Sequence, residues 1–337
     1  MAEVFPWRNR SGEDSMAREA TVNAALADER AEPLAIRTAD LIMVLAAVLA
    51  LSVLLWNYER VAWWPSAGVF LVIALAPFGM RSLQRRVPDN RLVKFAADFS
   101  PIAYVVALYL HLNPVLDAVN MGIADDWLSR ADQRLFGLQP AITLQALLPP
   151  LVNDVLLAAY TTYFLWPAAL GLVIWLSRRD EVYDEWATAL MFFFAVNYAF
   201  YAAVPAMGPR YFQSAWFEGP VQGVFLAQHI DQMFRDSPIA RDCFPSGHTG
   251  VSLMVLVFAW REARRFFWVA LLPLSCLIAG TLAGRFHYGI DLIAAVPLML
   301  VSLSVAKALQ RRLPDGVPIG NPQMVESVRR YLATVRQ

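Results

Sequence analysis

Two short polar motifs in an otherwise apolar chain contain the residue types needed for phosphoryl transfer. The first is CFPSGHTG at residues 243–250, and the second is HYGID at residues 287–291. The chain has four histidines, and His248 and His287 lie in these two motifs. An ionisable residue at the edge of an apolar segment marks a functional site by default. Together the motifs predict phosphoryl transfer through a histidine nucleophile.

The first motif has the composition of a helix start that binds an anion. Pro245 suits the first positions of a helix, Ser246 can cap it, and Gly247 lets the backbone approach a ligand closely. Free N–H groups at such a terminus favour a phosphate oxygen. From the first turn, His248 can reach the leaving oxygen of a phosphoester and act as its acid. A capped helix with a merely interfacial histidine is the alternative.

The second motif predicts a nucleophile with an orienting carboxylate. His287 and Asp291 are four residues apart, which on a helix puts both side chains on one face. A carboxylate bonded to one imidazole nitrogen fixes the tautomer and leaves the other nitrogen free to attack. A metal is the alternative, but two ligands without a cysteine pair make a poor site. We expect no metal and no cofactor, and we expect Cys243 and Cys276 to be structural thiols.

Two arginines near the motifs are candidates for binding the phosphate. Arg210 belongs to the sequence GPRY, and Arg285 precedes His287 by two residues. A guanidinium matches phosphate geometry and stays charged, so both are predicted to neutralise the charge of the transition state. Snorkelling to lipid head groups is the alternative. Tyr211 and Tyr288, beside these residues, are candidate substrate contacts, with a place in an aromatic belt equally open.

The composition indicates that these motifs belong to a membrane protein. Of 337 residues, 58% are hydrophobic and 12% are aromatic, so the bilayer is the expected solvent. We predict an all-α, polytopic integral membrane bundle of about eight transmembrane helices. The uncharged runs are residues 41–56, 61–80, 99–112, 155–176, 186–209, 249–260 behind PSGH, 266–284 and 292–306. A formal net charge of zero gives no argument for a nucleic-acid partner.

Basic residues occur in alternate loops between these runs. Arginines follow the second, fourth, sixth and eighth runs, and positively charged loops stay in the cytoplasm. This pattern predicts a multi-pass plasma (inner) membrane protein with both termini cytoplasmic and both motifs on the extracytoplasmic face. The predicted division is a tail at residues 1–38, a transmembrane catalytic domain at 39–312 with its motif-bearing half at 205–306, and a tail at 313–337. Residues 113–154 suit an interfacial amphipathic helix, which either covers the site or only caps the bundle.

At PSGH and HxxxD the sequence resembles the type 2 phosphatidic acid phosphatase superfamily, over residues 207–306. The resemblance implies a six-helix phosphatase-like core, His248 as the acid, and His287 as the nucleophile that Asp291 orients. That family's first motif, a lysine followed after six residues by Arg-Pro, is replaced here by Gly208-Pro209-Arg210. Its Ser-Arg before the second histidine is replaced by Gly280-Thr281, with the arginine at 285. This pattern is more similar to the inositol phosphorylceramide synthase branch.

Two classes of function follow. The leading one is an integral membrane enzyme that cleaves or transfers a phosphoryl group from a phospholipid, isoprenyl phosphate or phosphosphingolipid. Its partners are the lipid phosphate, membrane lipids and, for transfer of the head group, a lipid alcohol acceptor. The second class is a transporter or binding protein that holds an anionic lipid without reacting, because polar residues inside a membrane also mark transport paths. Covalent trapping of phosphate separates the two classes.

Overall fold

The computed structural model describes residues 34–119, 122–235, 241–313 and 316–319. Fourteen α-helices lie in these ranges. They are α1 (Thr38–Trp56), α2 (Trp64–Arg86), α3 (Arg91–Leu110), α4 (Asn113–Val119), α5 (Asp125–Phe136), α6 (Pro140–Leu147), α7 (Pro150–Thr161), α8 (Leu165–Leu176), α9 (Asp180–Ala203), α10 (Pro209–Phe212), α11 (Ala227–Arg235), α12 (Gly247–Glu262), α13 (Arg264–Ala283) and α14 (Gly289–Arg312). The predicted all-α polytopic bundle is confirmed.

The chain divides into two compact units. One consists of residues 1–36 and 317–337, and the other of residues 37–316. In the first unit the described residues form two short antiparallel strands, β1 (Leu34–Ile36) and β2 (Val317–Ile319). The remaining residues of the two predicted tails lie largely outside the described ranges, so the predicted division into tails and a catalytic domain stays a prediction.

Six of the described helices are long and apolar enough to cross a membrane: α1, α2, α3, α9, α13 and α14. The pair α7 and α8 passes the same test jointly but is bent by 49°, so it is a broken span or a re-entrant segment. The sixth predicted run, residues 249–260, forms α12, which has 16 residues. At ~1.5 Å per residue that is about 24 Å, shorter than the ~30 Å hydrocarbon layer. The described helices therefore give six or seven full spans.

The bundle has a large aromatic core and an apolar outer surface. Trp186 and Phe193 of α9 and Phe258 of α12 are almost fully buried where these helices meet. On the outside, Leu45 and Leu49 of α1 lie four residues apart and are 59% and 62% exposed. Apolar residues that face outward are what a helix in lipid requires, because the bilayer solvates them.

A buried ion network joins α1, α2 and α3 at one end of the bundle. The Arg81 guanidinium donates to Asp40 at 2.7 Å and to Asp98 at 3.0 Å. Asp98 also accepts from Lys94 at 2.9 Å and pairs with Arg37 at 2.7 Å. Buried charges are stable only when paired in this way. Asp98 lies in the N-terminal half of α3, whereas the opposite end of α3 reaches the histidine motifs.

Candidate active site

The two histidine motifs meet in one cavity. His248 lies in the first turn of α12, and His287 lies in the loop directly before α14. Their ring centroids are 6.0 Å apart, and both line a cavity of about 360 Å³. Two imidazoles, one from the first turn of α12 and one from the loop before α14, therefore face a shared space large enough for a phosphate group and part of its substituents.

The His287 ring is held through one nitrogen. Its Nδ1 lies 2.8 Å from the Cys243 carbonyl oxygen and 3.3 Å from Oδ2 of Asp291. Both neighbours are acceptors, so the hydrogen-bond pattern assigns the proton to Nδ1 and the lone pair to Nε2. The predicted contact between His287 and Asp291 is present, but its origin differs from the one expected. His287 precedes the helix, and Asp291 reaches back by accepting from the Tyr288 backbone N–H at 2.8 Å.

Cys243 is part of this arrangement, which the sequence did not indicate. Its sulfur lies 2.9 Å from Oδ2 of Asp291 and 3.2 Å from the Phe286 carbonyl oxygen. Cys243, His287 and Asp291 offer three ligand-type atoms within 4.8 Å of one another. Burial raises the pKa of the Cys243 thiol well above its usual range, and the nearby Asp291 carboxylate raises it further. A protonated thiol is a hydrogen-bond donor, so these contacts fit a thiol that steadies the carboxylate, and a site without metal stays a prediction.

The serine cap predicted from the first motif is present at the start of α12, whereas Pro245 lies just before the cap. The Ser246 side chain caps the helix by accepting from the Thr249 backbone N–H at 3.2 Å. The Ser246 backbone N–H donates to the Asp291 carbonyl oxygen at 3.1 Å, which ties the two motifs together. At Gly247, an added Cβ would lie 3.0 Å from Oδ1 of Asn197, so a larger residue would crowd the cavity wall.

The break between α7 and α8 supplies the surroundings of His248. The Tyr160 ring stacks on the His248 ring with centroids 4.3 Å apart, and the Tyr163 ring lies 4.1 Å away. Tyr160 also stacks on Phe286, the residue before His287, at 4.2 Å. The bend therefore brings two aromatic rings against the candidate acid, and sequence spacing alone gave no sign of this.

The two candidate arginines differ in their environments. Arg210 lines the cavity, donates to the Gly284 carbonyl oxygen at 2.7 Å and pairs with Asp231 at 3.0 Å. Arg285 does not line the cavity; it donates to the Gly219 carbonyl oxygen at 2.8 Å and lies over the Phe217 ring at 4.0 Å. Arg210 is therefore the better placed of the two to meet a phosphate in the cavity.

The turn before Arg210 requires glycine. Gly208 has a φ of +81°, and an added Cβ would lie 2.5 Å from the Phe286 carbonyl oxygen. The Arg210 backbone N–H then donates to the Arg285 carbonyl oxygen at 2.8 Å, where Arg285 itself has a φ of 61°. Left-handed backbone at a non-glycine residue is strained and needs such support. The GPR turn and the loop before α14 therefore fix each other.

Amphipathic helix α5 fastens these loops. Asp125 accepts from the Met207 and Gly208 backbone N–H groups at 2.9 and 2.8 Å, and from the Tyr288 hydroxyl at 2.9 Å. Asp132 accepts from the first two N–H groups of α14, each at 2.8 Å. Burial raises the pKa of both carboxyls, although these hydrogen bonds oppose the increase. Residues 113–154, whose role the sequence left open, thus include a clamp over the candidate site.

A third aspartate holds the remaining loop. Asp154 in α7 accepts from four consecutive backbone N–H groups, at residues 224–227, at 2.7 to 3.1 Å. These groups lead into α11, which contains Asp231, the ion-pair partner of Arg210. An acceptor at a helix start is a standard cap, and here it also positions the partner of a cavity cation.

The predicted site residues therefore divide into two sets. Those in the cavity wall are His248, His287, Arg210, Gly247 and Tyr211. Those behind it, in contact with the first set or with the clamp, are Asp291, Ser246, Arg285 and Tyr288. The catalytic roles assigned to both sets stay predictions.

The sequence interpretation missed the one carboxylate among the described residues of the cavity wall. Asp242 lines the cavity next to the two histidines, and the Tyr109 hydroxyl of α3 donates to its Oδ2. Burial raises the pKa of the Asp242 carboxyl, whereas the Tyr109 hydroxyl and nearby His287 lower it. The available signal was its position six residues before His248, directly in front of the first polar motif.

Fold and cavity together define a polytopic membrane protein with a two-histidine site at one end of its bundle. Comparison with known proteins gives the family: the model of the PAP2 superfamily matches residues 126–305, more than half of the chain. The chain belongs to the PAP2 superfamily, as the motifs predicted, whereas the inositol phosphorylceramide synthase-like branch is not confirmed. Members of this superfamily are phosphatases or phosphotransferases, and membership supports phosphoric-ester chemistry on lipid phosphates.

One curated relative is a PA-phosphatase related-family protein from Dictyostelium discoideum. It is 24% identical to this chain over an alignment that covers 43% of the chain and 28% of that relative. The chain therefore spans less than a third of the length of that relative. No solved structure matches this chain.

Proposed function

We propose that this protein is a lipid-phosphate phosphatase or phosphotransferase that works through a phosphohistidine on His287. One observation carries the proposal: the His248 and His287 rings lie 6.0 Å apart in one cavity, and Nδ1 of His287 is held by two acceptors. That arrangement leaves Nε2 of His287 as a nucleophile and His248 as an acid on the other side of a bound phosphate.

The proposed reaction has two steps. Nε2 of His287 attacks phosphorus, the bond from phosphorus to the lipid-alcohol oxygen breaks, and protonated His248 gives its proton to that oxygen. Water or an acceptor hydroxyl then attacks the phosphohistidine, passes its proton to His248, and the P–N bond breaks. Asp291 keeps the proton on Nδ1 and stabilises the positive ring, and Arg210 offsets negative charge on the phosphate.

Covalent trapping tests the proposal. Purified protein is incubated with a lipid labelled in its phosphate and quenched in base, and we expect acid-labile label on the wild-type chain. His287→Ala should carry no label and lose turnover, while its thermal unfolding stays close to wild type. His229→Ala, outside the two motifs, is the matched control and should behave as wild type. Label retained on His287→Ala, or its absence from an active wild-type enzyme, contradicts the proposal.

The fate of the phosphorus separates hydrolysis from head-group transfer. Release without an added alcohol indicates a hydrolase, whereas strict dependence on diacylglycerol or ceramide indicates a transferase. Both share the first step and the same cavity, so this assay refines the proposal and leaves His287 as the nucleophile in either case.

We also propose that the cavity faces the extracytoplasmic side of a plasma (inner) membrane. The support is the alternation of basic loops along the chain. Asp126→Cys, on the exposed side of α5, should react with an impermeant maleimide on intact cells, whereas Arg86→Cys, at the end of α2, should react only after lysis. The reverse pattern contradicts this orientation.

A further inference from the structure

We infer that Asp242 selects the substrate: its carboxylate favours a singly charged phosphodiester lipid with a hydroxyl-bearing head group over a doubly charged phosphomonoester. The inference rests on the proposed function, because it concerns the substrate of the same His287 chemistry. Its basis is the placement of a carboxylate in the wall of a cavity that is proposed to receive a phosphate.

Asp242 lies close to His287 because its neighbour in the chain forms a hydrogen bond with the His287 ring. The residue directly after it, Cys243, accepts the Nδ1 hydrogen bond of His287 through its carbonyl oxygen. The Asp242 side chain lines the same cavity and receives the Tyr109 hydroxyl on Oδ2. A carboxylate has about four acceptor positions, so one tyrosine leaves capacity for a ligand hydroxyl.

The charges of the wall favour a monoanion. Among the described residues that line the cavity, Arg210 carries the single permanent positive charge and Asp242 is the single carboxylate. The Arg210 charge is shared with Asp231, 3.0 Å away. A phosphomonoester carries about −1.5 to −2 at neutral pH, against about −1 for a diester, so repulsion by Asp242 penalises the monoester more strongly.

The same side of the cavity offers hydrogen-bonding groups to a polar head group. Oδ1 of Asn197 is a buried acceptor with no hydrogen-bond partner among the described residues, in a side chain that lines the cavity. Its amide nitrogen donates to the Pro245 carbonyl oxygen at 2.9 Å, which fixes the oxygen toward Gly247. A buried acceptor without a donor costs stability, and a ligand hydroxyl would satisfy it. Tyr198 and Tyr201 extend this wall.

Three lipids with the same diacylglycerol test the inference. Phosphatidate is the monoester, phosphatidylglycerol is a diester with head-group hydroxyls, and phosphatidylmethanol is a diester without them. Each releases diacylglycerol, so the leaving group is constant. For wild-type enzyme we expect kcat/KM for phosphatidylglycerol to exceed that for phosphatidate about tenfold or more, with phosphatidylmethanol between them.

Three variants test whether Asp242 causes this preference for the diester. Asp242→Asn should reduce the ratio of phosphatidylglycerol to phosphatidate about tenfold, mainly by raising the rate with phosphatidate. Tyr109→Phe, a milder change that releases the carboxylate, should reduce it less. Asp117→Asn is the matched control: this exposed carboxylate pairs with Arg241 and does not line the cavity, so the ratio should not change.

Two failures are distinguishable. Diacylglycerol release by His287→Ala from any of the three lipids overturns the proposed function. An inactive His287→Ala together with a wild-type enzyme that prefers phosphatidate overturns the Asp242 inference alone. A ratio that stays within twofold of wild type in both Asp242→Asn and Tyr109→Phe does the same.

Discussion

The Asp291 carboxylate, which contacts His287, also accepts a hydrogen bond from a thiol. Cys243 donates to Oδ2 of Asp291 at 2.9 Å, and burial keeps its proton in place by raising the thiol pKa. Hydrogen bonds to charged groups contribute about 1.5–3 kcal/mol. Cys243→Ala should therefore lower kcat about tenfold or more with little change in KM, because Asp291 loses a positioning contact without losing a substrate contact.

Cys243→Ser provides the control for that substitution. A hydroxyl keeps a donor at the same place, so this variant should recover much of the lost kcat, and both variants should unfold within a few degrees of wild type. Steady-state kinetics and thermal unfolding in detergent give the comparison. An alanine variant as active as wild type would show that the thiol has no positioning role.

His248 gives a prediction about leaving groups. Its ring is enclosed by Tyr160 and Tyr163, and its proposed role is to protonate the departing lipid oxygen. An acid matters most when the leaving group is a strong base. His248→Ala should lose turnover of a lipid phosphate ester but keep a larger share of its activity with a p-nitrophenyl ester. Equal losses on both substrates would argue against the acid role.

We expect the preference for the diester to depend on pH through the protonation of Asp242. Because burial raises the pKa of this carboxyl, it takes up its proton at a higher pH than an exposed aspartate. As pH falls through that pKa the repulsion of a dianion disappears, so the preference for the diester should weaken in wild type. The phosphate also titrates, near pH ~6, so Asp242→Asn supplies the reference at each pH. Identical pH profiles in the two proteins would exclude this effect.

At the scale of the element, helix α5 holds the loops of the candidate site in place through its buried aspartates. Asp132 accepts from two backbone N–H groups at the start of α14, which begins two residues after His287. Asp132→Ala leaves both donors buried and without a partner, so we expect a loss of about 2 kcal/mol in stability and a fall in kcat. Asp126→Asn is the matched control, since its pair with Arg130 is exposed and worth about 0–1 kcal/mol. Equal effects of the two substitutions on stability and kcat would contradict the role of Asp132 in holding the start of α14.

Several features predicted from the sequence are present in the structure, but some of them arise for a different physical reason than the one expected. Apolar runs and basic loops were sufficient to predict the helical membrane bundle, because lipid leaves helices as one of few options for the backbone. The spacing of His287 and Asp291 predicted their contact, yet the contact arises from a helix cap. The clamp by α5 and the wall residue Asp242 depend on pairings between residues more than 40 positions apart, which a single sequence does not specify.

At the scale of the whole molecule, we expect one end of the bundle to contribute to stability and the other end to contribute to the chemistry. The ion network around Arg81 closes one end, while the cavity occupies the other, where Tyr109 of α3 reaches Asp242. Asp98 and Tyr109 are eleven residues apart on that helix, about 16 Å at ~1.5 Å per residue. Damage to the network should therefore act on stability and leave the chemistry unchanged.

Arg81→Ala tests this separation. The substitution removes the guanidinium that bonds to both buried carboxylates, Asp40 and Asp98. Breaking a buried ion pair costs about 3–5 kcal/mol. We expect a large decrease in apparent Tm, but kcat/KM per folded molecule close to wild type at low temperature. Arg86→Ala, at the exposed end of the same helix α2, should change neither quantity. A selective fall in kcat/KM at unchanged Tm would mean that the network and the cavity act as one coupled site, because only coupling along α3 would transmit a charge change from one end to the other.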